Sequence, residues 1–138
     1  INRFNLVIYF FKKYKMNNQA VKILIAEDDP FLSKIMGNRL KEEGFAVDAA
    51  IDGEEVLSKI NETDYSVIML DLIMPKKTGF DVLKEMKAKG SKTPALVFTN
   101  LAQDEDREEV LKLGAKGYYV KSDIAMDNLV KTIKDFVG

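Results

Sequence analysis

Residues Ser66 to Pro75 read SVIMLDLIMP. Val67, Ile68, Met69 and Leu70 form an apolar run without polar alternation, the pattern of a strand covered on both faces of a parallel sheet. The run stops at Asp71, and Pro75 lacks the backbone donor that a central strand would need to continue. A carboxylate therefore stands where a buried strand ends. In open parallel sheets, ligands sit in the crevice beyond the carboxyl ends of the strands. A single Asp at such a point often does no more than open a turn, so the rest of the chain decides between the two.

The 138 residues are 46% hydrophobic and 31% charged, as in an ordinary globular domain with enough chain for one core. The sequence has no Cys, which excludes a disulfide scaffold and a thiolate metal site. It also has no His, which removes the commonest general base, the usual transition-metal ligand and any Ser-His or Cys-His nucleophilic pair. Chemistry is left to carboxylates, hydroxyls, lysines, backbone and a hard metal ion. The net charge of −1 conceals an asymmetry: residues 1–15 carry Arg3, Lys12, Lys13 and Lys15 without an acid, leaving −5 on the remainder. That balance gives the domain no basic footprint for nucleic acid.

Residues 1–15, INRFNLVIYFFKKYK, differ in character from the rest of the chain and read as an N-terminal extension, frayed or packed as a helix. The apolar run Leu6–Phe11 is too short to span a bilayer, and no small-residue cleavage site comes after it. A membrane-surface role is the weaker alternative. The domain proper opens at Met16 and runs to Gly138.

Val21–Ala26 reads as a buried strand leading into Glu27, Asp28 and Asp29. Asp29 as N-cap and Pro30 at the first helical position start a helix with Leu32, Ile35, Met36 and Leu40 inward, closed by Gly44. Phe45–Ala49 is a second strand. Asp52 and Glu55 form a capping-box-like pair ahead of a helix with Val56, Leu57 and Ile60 inward. After the strand ending at Asp71, a helix runs from about Thr78 to Lys89, with Gly90 as its stop. Pro94–Phe98 is a fourth strand ending at Thr99. Asp104 is expected to cap a charged helix through Leu113, and Gly117–Val120 is a fifth strand ending at Lys121. Ser122 or Asp123 starts a last helix bearing Met126, Leu129, Val130, Ile133, Phe136 and Val137 at helical spacing. Five strands alternating with five helices imply parallel βαβ units in one doubly wound α/β domain. A glycine fingerprint for dinucleotides and a phosphate-loop lysine motif are both absent.

The strand ends collect Glu27 and Asp28, Asp71, Thr99 and Lys121 on one rim. Three neighbouring carboxylates repel one another and call for a compensating cation. All-oxygen ligands suit Mg²⁺, and the lack of His and Cys speaks against zinc. Asp71 beside a divalent cation, a hydroxyl and an ammonium suits phosphoryl transfer to form an aspartyl phosphate. Singly, each residue has a plainer reading: Asp29 as a cap, Glu27 as a solvated acid, Thr99 as a turn hydroxyl, Lys121 as a surface cation. Their joint occurrence in this order at successive rim positions outweighs those readings.

In ILIAEDDP, MLDLIMP, VFTN and GYYVKSD the sequence resembles the receiver domains of two-component response regulators, over nearly all of residues 21–138. The resemblance implies a flavodoxin-like fold with sheet order 2-1-3-4-5 and helices on both faces. It implies Asp71 as phosphoacceptor and Glu27 and Asp28 as the acid pair for Mg²⁺. Asp28, Asp71 and the backbone carbonyl of Ile73 would be direct ligands, with Glu27 acting through water. Thr99 and Lys121 would bind the phosphoryl group, and Tyr118 matches the switch aromatic paired with Thr99. The function implied is a phosphorylation-dependent switch without metabolite turnover, served by a histidine kinase or phosphotransfer protein. Its output would pass to a downstream protein through the face of the fourth helix, fifth strand and fifth helix. A cytoplasmic setting, no direct nucleic-acid or membrane binding, and homodimerisation as an option on phosphorylation complete these expectations.

Two residues depart from the family pattern, Asn100 in place of the usual Ala or Ser and Ser122 in place of the usual Pro, and no output domain is expected after Gly138. A rival reading, a Mg²⁺-dependent aspartyl-phosphate phosphatase, wants a second acid two residues after the nucleophile, where Ile73 stands. A pseudo-receiver that only binds partners is disfavoured by the intact acids and Lys121.

Overall fold

A computed structural model describes residues 2–10 and 21–138. The expected domain opening at Met16 and the extension's Lys12, Lys13 and Lys15 lie outside the described residues. Residues 3–10 form a helix whose apolar side chains are largely exposed, Phe4 at 71%. Among the described residues no helix is long and apolar enough to cross a membrane.

The elements alternate as the hydrophobic runs require: β1 Lys22–Ala26, α1 Pro30–Glu42, β2 Ala46–Ala50, α2 Gly53–Glu62, β3 Val67–Leu70 and α3 Gly79–Ala88. They continue with β4 Ala95–Thr99, α4 Asp104–Lys112, β5 Gly117–Val120, a 3₁₀ turn Lys121–Asp123 and α5 Met126–Val137. All strand pairs are parallel, in the order β2-β1-β3-β4-β5 that the family resemblance implies. β3 and β4 are buried throughout, because both faces of the sheet are covered. Alternate side chains feed two cores. Leu24, Ala26, Ile68, Leu70 and Val97 pack with Val56, Val82 and Val110 from α2, α3 and α4. Ile23, Ile25, Met69, Leu96 and Phe98 pack with Met36 and Leu40 from α1 and Leu129 and Ile133 from α5.

The helix boundaries obey their caps, with two corrections. Asp29 accepts hydrogen bonds from the Phe31 and Leu32 N–H groups, and Pro30 comes next as expected. Asp52 accepts from Glu55 N–H, while the Glu55 carboxylate reaches Ile51 N–H instead of the cap's own. Thr78 and Asp81 form a full capping box at α3. Asp104, expected as the cap of α4, is its first helical residue: Gln103 holds the cap position and makes no side-chain bond there. Acids in the first turn (Asp104, Glu105, Asp106) face the helix's positive end instead. The last helix begins later than Ser122 or Asp123, because those residues wind into the 3₁₀ turn and Ala125 takes the cap position. Ile35 and Phe136, expected inward, are partly exposed at the edges of their helix faces. No peptide bond among the described residues is cis, the Lys121–Ser122 bond included.

Candidate functional site

Register brings the rim together. Ala26 pairs with Ala50 on one side and Leu70 on the other, so Glu27 and Asp71 are the next residues beyond the ladder on adjacent central strands. Each carries the ladder one step further: Glu27 N–H donates to Ala50 C=O and Asp71 N–H to Ala26 C=O, both at 3.0 Å. Thr99 pairs with Val120, which delivers Lys121 just past Thr99 at the neighbouring edge.

Lys121 closes the site. Its ammonium donates to Asp71 Oδ2 at 2.8 Å and also to Glu27 Oε1. It lies over the Phe98 ring, 5.7 Å from its centre, a cation–π contact. The carboxylates it joins are nearly out of solvent, Glu27 at 2% and Asp71 at 5% exposure. Burial pushes the Glu27 carboxyl above its ordinary range, with the Asp71 charge acting the same way and the Lys121 hydrogen bond opposing both. For Lys121, burial acts to lower the ammonium's pKa, but the hydrogen bonds from it to Asp71 and Glu27 outweigh burial and hold it above the ordinary lysine value. The cation that the carboxylates call for is thus supplied in part by the chain itself. The sequence pointed to Lys121 only as a partner for a phosphoryl group.

Glu27, Asp28 and Asp71 each present an oxygen within 4.8 Å of the others, Asp28 from an exposed position. This hard, all-oxygen donor set, open to water on the Asp28 side, fits a hard divalent cation of the Mg²⁺ kind. Asp29 is engaged in the α1 cap, but its N–H donates to Glu27 Oε2 at 3.3 Å and helps to orient that carboxylate. Ile73 N–H donates to Asp71 Oδ1 at 3.2 Å, and its side chain projects into solvent. A small cavity of about 240 Å³ opens over these groups, lined by Glu27, Asp28, Asp71, Ile73, Asn100 and Lys121 among others.

Thr99 is fully buried, and its Oγ accepts from Leu101 N–H at 3.4 Å. Tyr118 is buried too, with its hydroxyl donating to the Leu101 carbonyl and the Arg107 guanidinium 5.1 Å above its ring. The two residues expected to act as a switch are therefore joined through the backbone of one loop residue. The backbone role of Leu101 has no sequence signal, and neither has Arg107, one charge among many on α4.

A further contributor is Gly79, at the start of α3. A Cβ there would lie 2.4 Å from the Asp71 carbonyl oxygen and 2.8 Å from Leu72 Cα. Only glycine lets α3 dock this closely behind the Asp71 segment, and Gly79 N–H donates to Leu72 C=O at 3.0 Å. Gly53 plays the same part under Lys77, where a Cβ would meet the carbonyl oxygen at 2.3 Å. Lys76, between them, holds a positive φ of 65° and reaches Asp52 at 3.5 Å. The loop after Asp71 is thus clamped from two sides.

The model of the response regulator receiver domain family matches residues 23–134. The two-component response regulator PhoP of Pseudomonas aeruginosa is 35% identical over 101 residues, covering 73% of this chain and 45% of PhoP. The chain spans about half the length, or less, of the curated relatives it matches. Among solved structures, the Francisella response regulator 1452 receiver domain superposes with a TM-score of 0.80 at 30% identity, over 85% of this chain and 96% of that one. TrrA from Thermotoga maritima, in complex with Mg²⁺-BeF, gives a TM-score of 0.72 at 29% identity, over 84% and 98% of the two chains. Matched over most of its length by the family's model, the chain belongs to the receiver domains of two-component response regulators.

Proposed function

We propose that this receiver domain is a phosphorylation switch in which Asp71 accepts a phosphoryl group with Mg²⁺ held by Glu27, Asp28, Asp71 and the Ile73 carbonyl. The observation that carries the reading is the convergence of three acids from β1 and β3 with the Lys121 ammonium at one strand-end rim. The Mg²⁺-BeF complex of the related TrrA, with BeF in place of a phosphoryl group, supports the same ligand chemistry here.

The Asp71 carboxylate oxygen attacks phosphorus of the donor, a phosphohistidine of a kinase or phosphotransfer protein. A P–O bond forms, the P–N bond breaks, and the departing imidazole nitrogen keeps the electron pair and takes a proton. When bound, Mg²⁺ supplies neutralising charge to the phosphoryl oxygens. Lys121, already in contact with Asp71, moves its ammonium onto a phosphoryl oxygen, and the Thr99 hydroxyl turns from the Leu101 N–H toward another. The Tyr118 ring on β5 carries the change to the face formed by α4, β5 and α5, where a downstream protein binds or a second copy pairs. The phosphatase rival lacks its general acid, because position 73 offers only an exposed isoleucine.

Incubation with Mg²⁺ and acetyl phosphate, read by intact mass, is expected to add one phosphoryl group to the wild type and none to Asp71→Asn. Labelling of the variant at the wild-type rate would refute the assignment.

A further inference from the structure

The end of the sheet opposite Asp71 holds a cavity of about 470 Å³, between the C-terminal ends of α3 and α4 and the start of β4. Lys87, Lys92, Lys112 and Lys116 line it, and its lining contains no Asp or Glu. Among the described residues, none of the four has a carboxylate within the 4.0 Å of an ion pair, although the chain carries 22 acids. Two of them have a local use. Lys87 and Lys112 sit in the last turns of their helices, where cations offset the negative helix ends, and Lys87 donates to the Lys112 carbonyl at 3.1 Å. Lys92 and Lys116 lie in the loops beyond, and no helix end accounts for them.

Four exposed lysines lining one concavity give it a positive potential that favours an anion. In a domain with excess negative charge, that concentration is the opposite of the surface average. Leu83, Met86 and Ala95 are buried and form an apolar floor beneath the lysines, which supply all the charge in the lining. The charged part of recognition then comes from lysine ammonium groups, compact point charges that suit phosphate oxygens. The volume falls within the range of small-molecule sites.

We propose that this cavity binds a compact diphosphate, either free pyrophosphate or the diphosphate of a nucleotide, with Lys92 and Lys116 as the principal contacts. The proposal is independent of the chemistry at Asp71, which lies at the other end of the strands.

The test is calorimetric titration of the full chain in EDTA with orthophosphate, pyrophosphate, ADP and a short single-stranded oligonucleotide. Pyrophosphate is expected to bind at least about tenfold more tightly than orthophosphate, as its higher charge requires among several cations. The Lys92→Gln, Lys116→Gln double variant should lose about tenfold or more of that affinity, and the exposed control pair Lys34→Gln, Lys131→Gln should not. ADP binding as tightly as pyrophosphate identifies the nucleotide diphosphate as an acceptable source. Markedly weaker ADP binding restricts the site to the free ion, and either result upholds the diphosphate site. Pyrophosphate binding that is absent at millimolar concentration, or unchanged in the double variant, overturns it. An oligonucleotide that binds more tightly than pyrophosphate with the same variant dependence also overturns it, in favour of a nucleic-acid surface.

Discussion

Replacing Lys121 by Met keeps an unbranched apolar stem and removes the ammonium that lies over Phe98 and joins Glu27 to Asp71. Two nearly buried carboxylates are then left facing each other. Unit charges 4.8 Å apart repel by about 3.5 kcal/mol at an effective dielectric of ~20. Removing one partner of a buried ion pair typically costs ~3–5 kcal/mol. Glu27, already pushed up by burial, relieves part of this by binding a proton. The expected loss of unfolding free energy at pH 8 is therefore about 2–3 kcal/mol.

The sign with pH is set by the same group. A carboxyl whose folded pKa lies above its unfolded value favours the folded state most when protonated, so the Lys121→Met deficit is largest at high pH. It shrinks as pH falls through the Glu27 folded value toward the ordinary 4.5. Millimolar Mg²⁺ should shrink it as well, because a divalent cation replaces the missing charge. Urea unfolding at pH 8 and pH 5, with and without Mg²⁺, measures all of these. A deficit equal at both pH values and unmoved by Mg²⁺ would mean that packing, not charge, is what Lys121 contributes.

Gly79→Ala forces a methyl group against the Asp71 carbonyl and should cost about 1–3 kcal/mol while slowing phosphorylation by acetyl phosphate; wild-type stability and rate together would exclude the close approach. The Tyr65 hydroxyl, pushed up to about 12 by burial and by its 2.7 Å bond to Asp48, keeps its stabilising share below pH 10 and loses it as pH rises toward 12. Absorbance titration of Asp48→Asn should show that midpoint moved down toward 10, and an unmoved midpoint would remove Asp48 as a cause. Ile73 and Leu101 offer no polar group to hold an attacking water, so the phosphorylated form should decay slowly, and Ile73→Asn with Leu101→Glu should decay faster by roughly tenfold. An unchanged lifetime would show that water placement at these positions is not limiting. Arg107→Ala should shift the Tyr118 ring signals in NMR and broaden them, since the guanidinium over the ring is removed; an unchanged spectrum would leave the ring held by its hydroxyl alone.

The sheet was legible because β1, β3 and β4 are buried on both faces and show it as unbroken apolar runs, while Gly44, Gly90 and Gly114 mark helix ends by positive φ. The starts of α4 and α5 were not, because neither helix has a side-chain cap bond to betray its first residue. At the site, Asp71, Glu27, Asp28, Thr99 and Lys121 could be placed on one rim from strand ends alone. What strand ends cannot give is which rim groups pair. That Lys121 spans both Glu27 and Asp71 depends on side-chain reach across β4, whereas Asp29 before Pro30 already marked the α1 cap in the sequence. Gly79 was hidden for a different reason: a glycine at a helix start is common, and only the packing shows what its hydrogen faces.

The same limit applies to the link between Thr99 and Tyr118, which the family resemblance implied only as a paired hydroxyl and switch aromatic. Here the Tyr118 ring is already inside, tied to the Leu101 carbonyl, while the Leu101 N–H is tied to Thr99. A phosphoryl group that draws the Thr99 hydroxyl away would release the N–H side of Leu101 and leave the carbonyl side to Tyr118. Under the proposed function, phosphorylation would favour the inward ring by changing the bonds of this one loop residue. Taking such a ring from an even mixture to 99:1 requires only about 2.7 kcal/mol of differential stabilisation. One or two charge-assisted hydrogen bonds from Thr99 and Lys121 to a phosphoryl group would supply that amount. Arg107, placed on the exposed helix α4 and stacked on the same ring, lies where a partner bound to that helix would feel the choice.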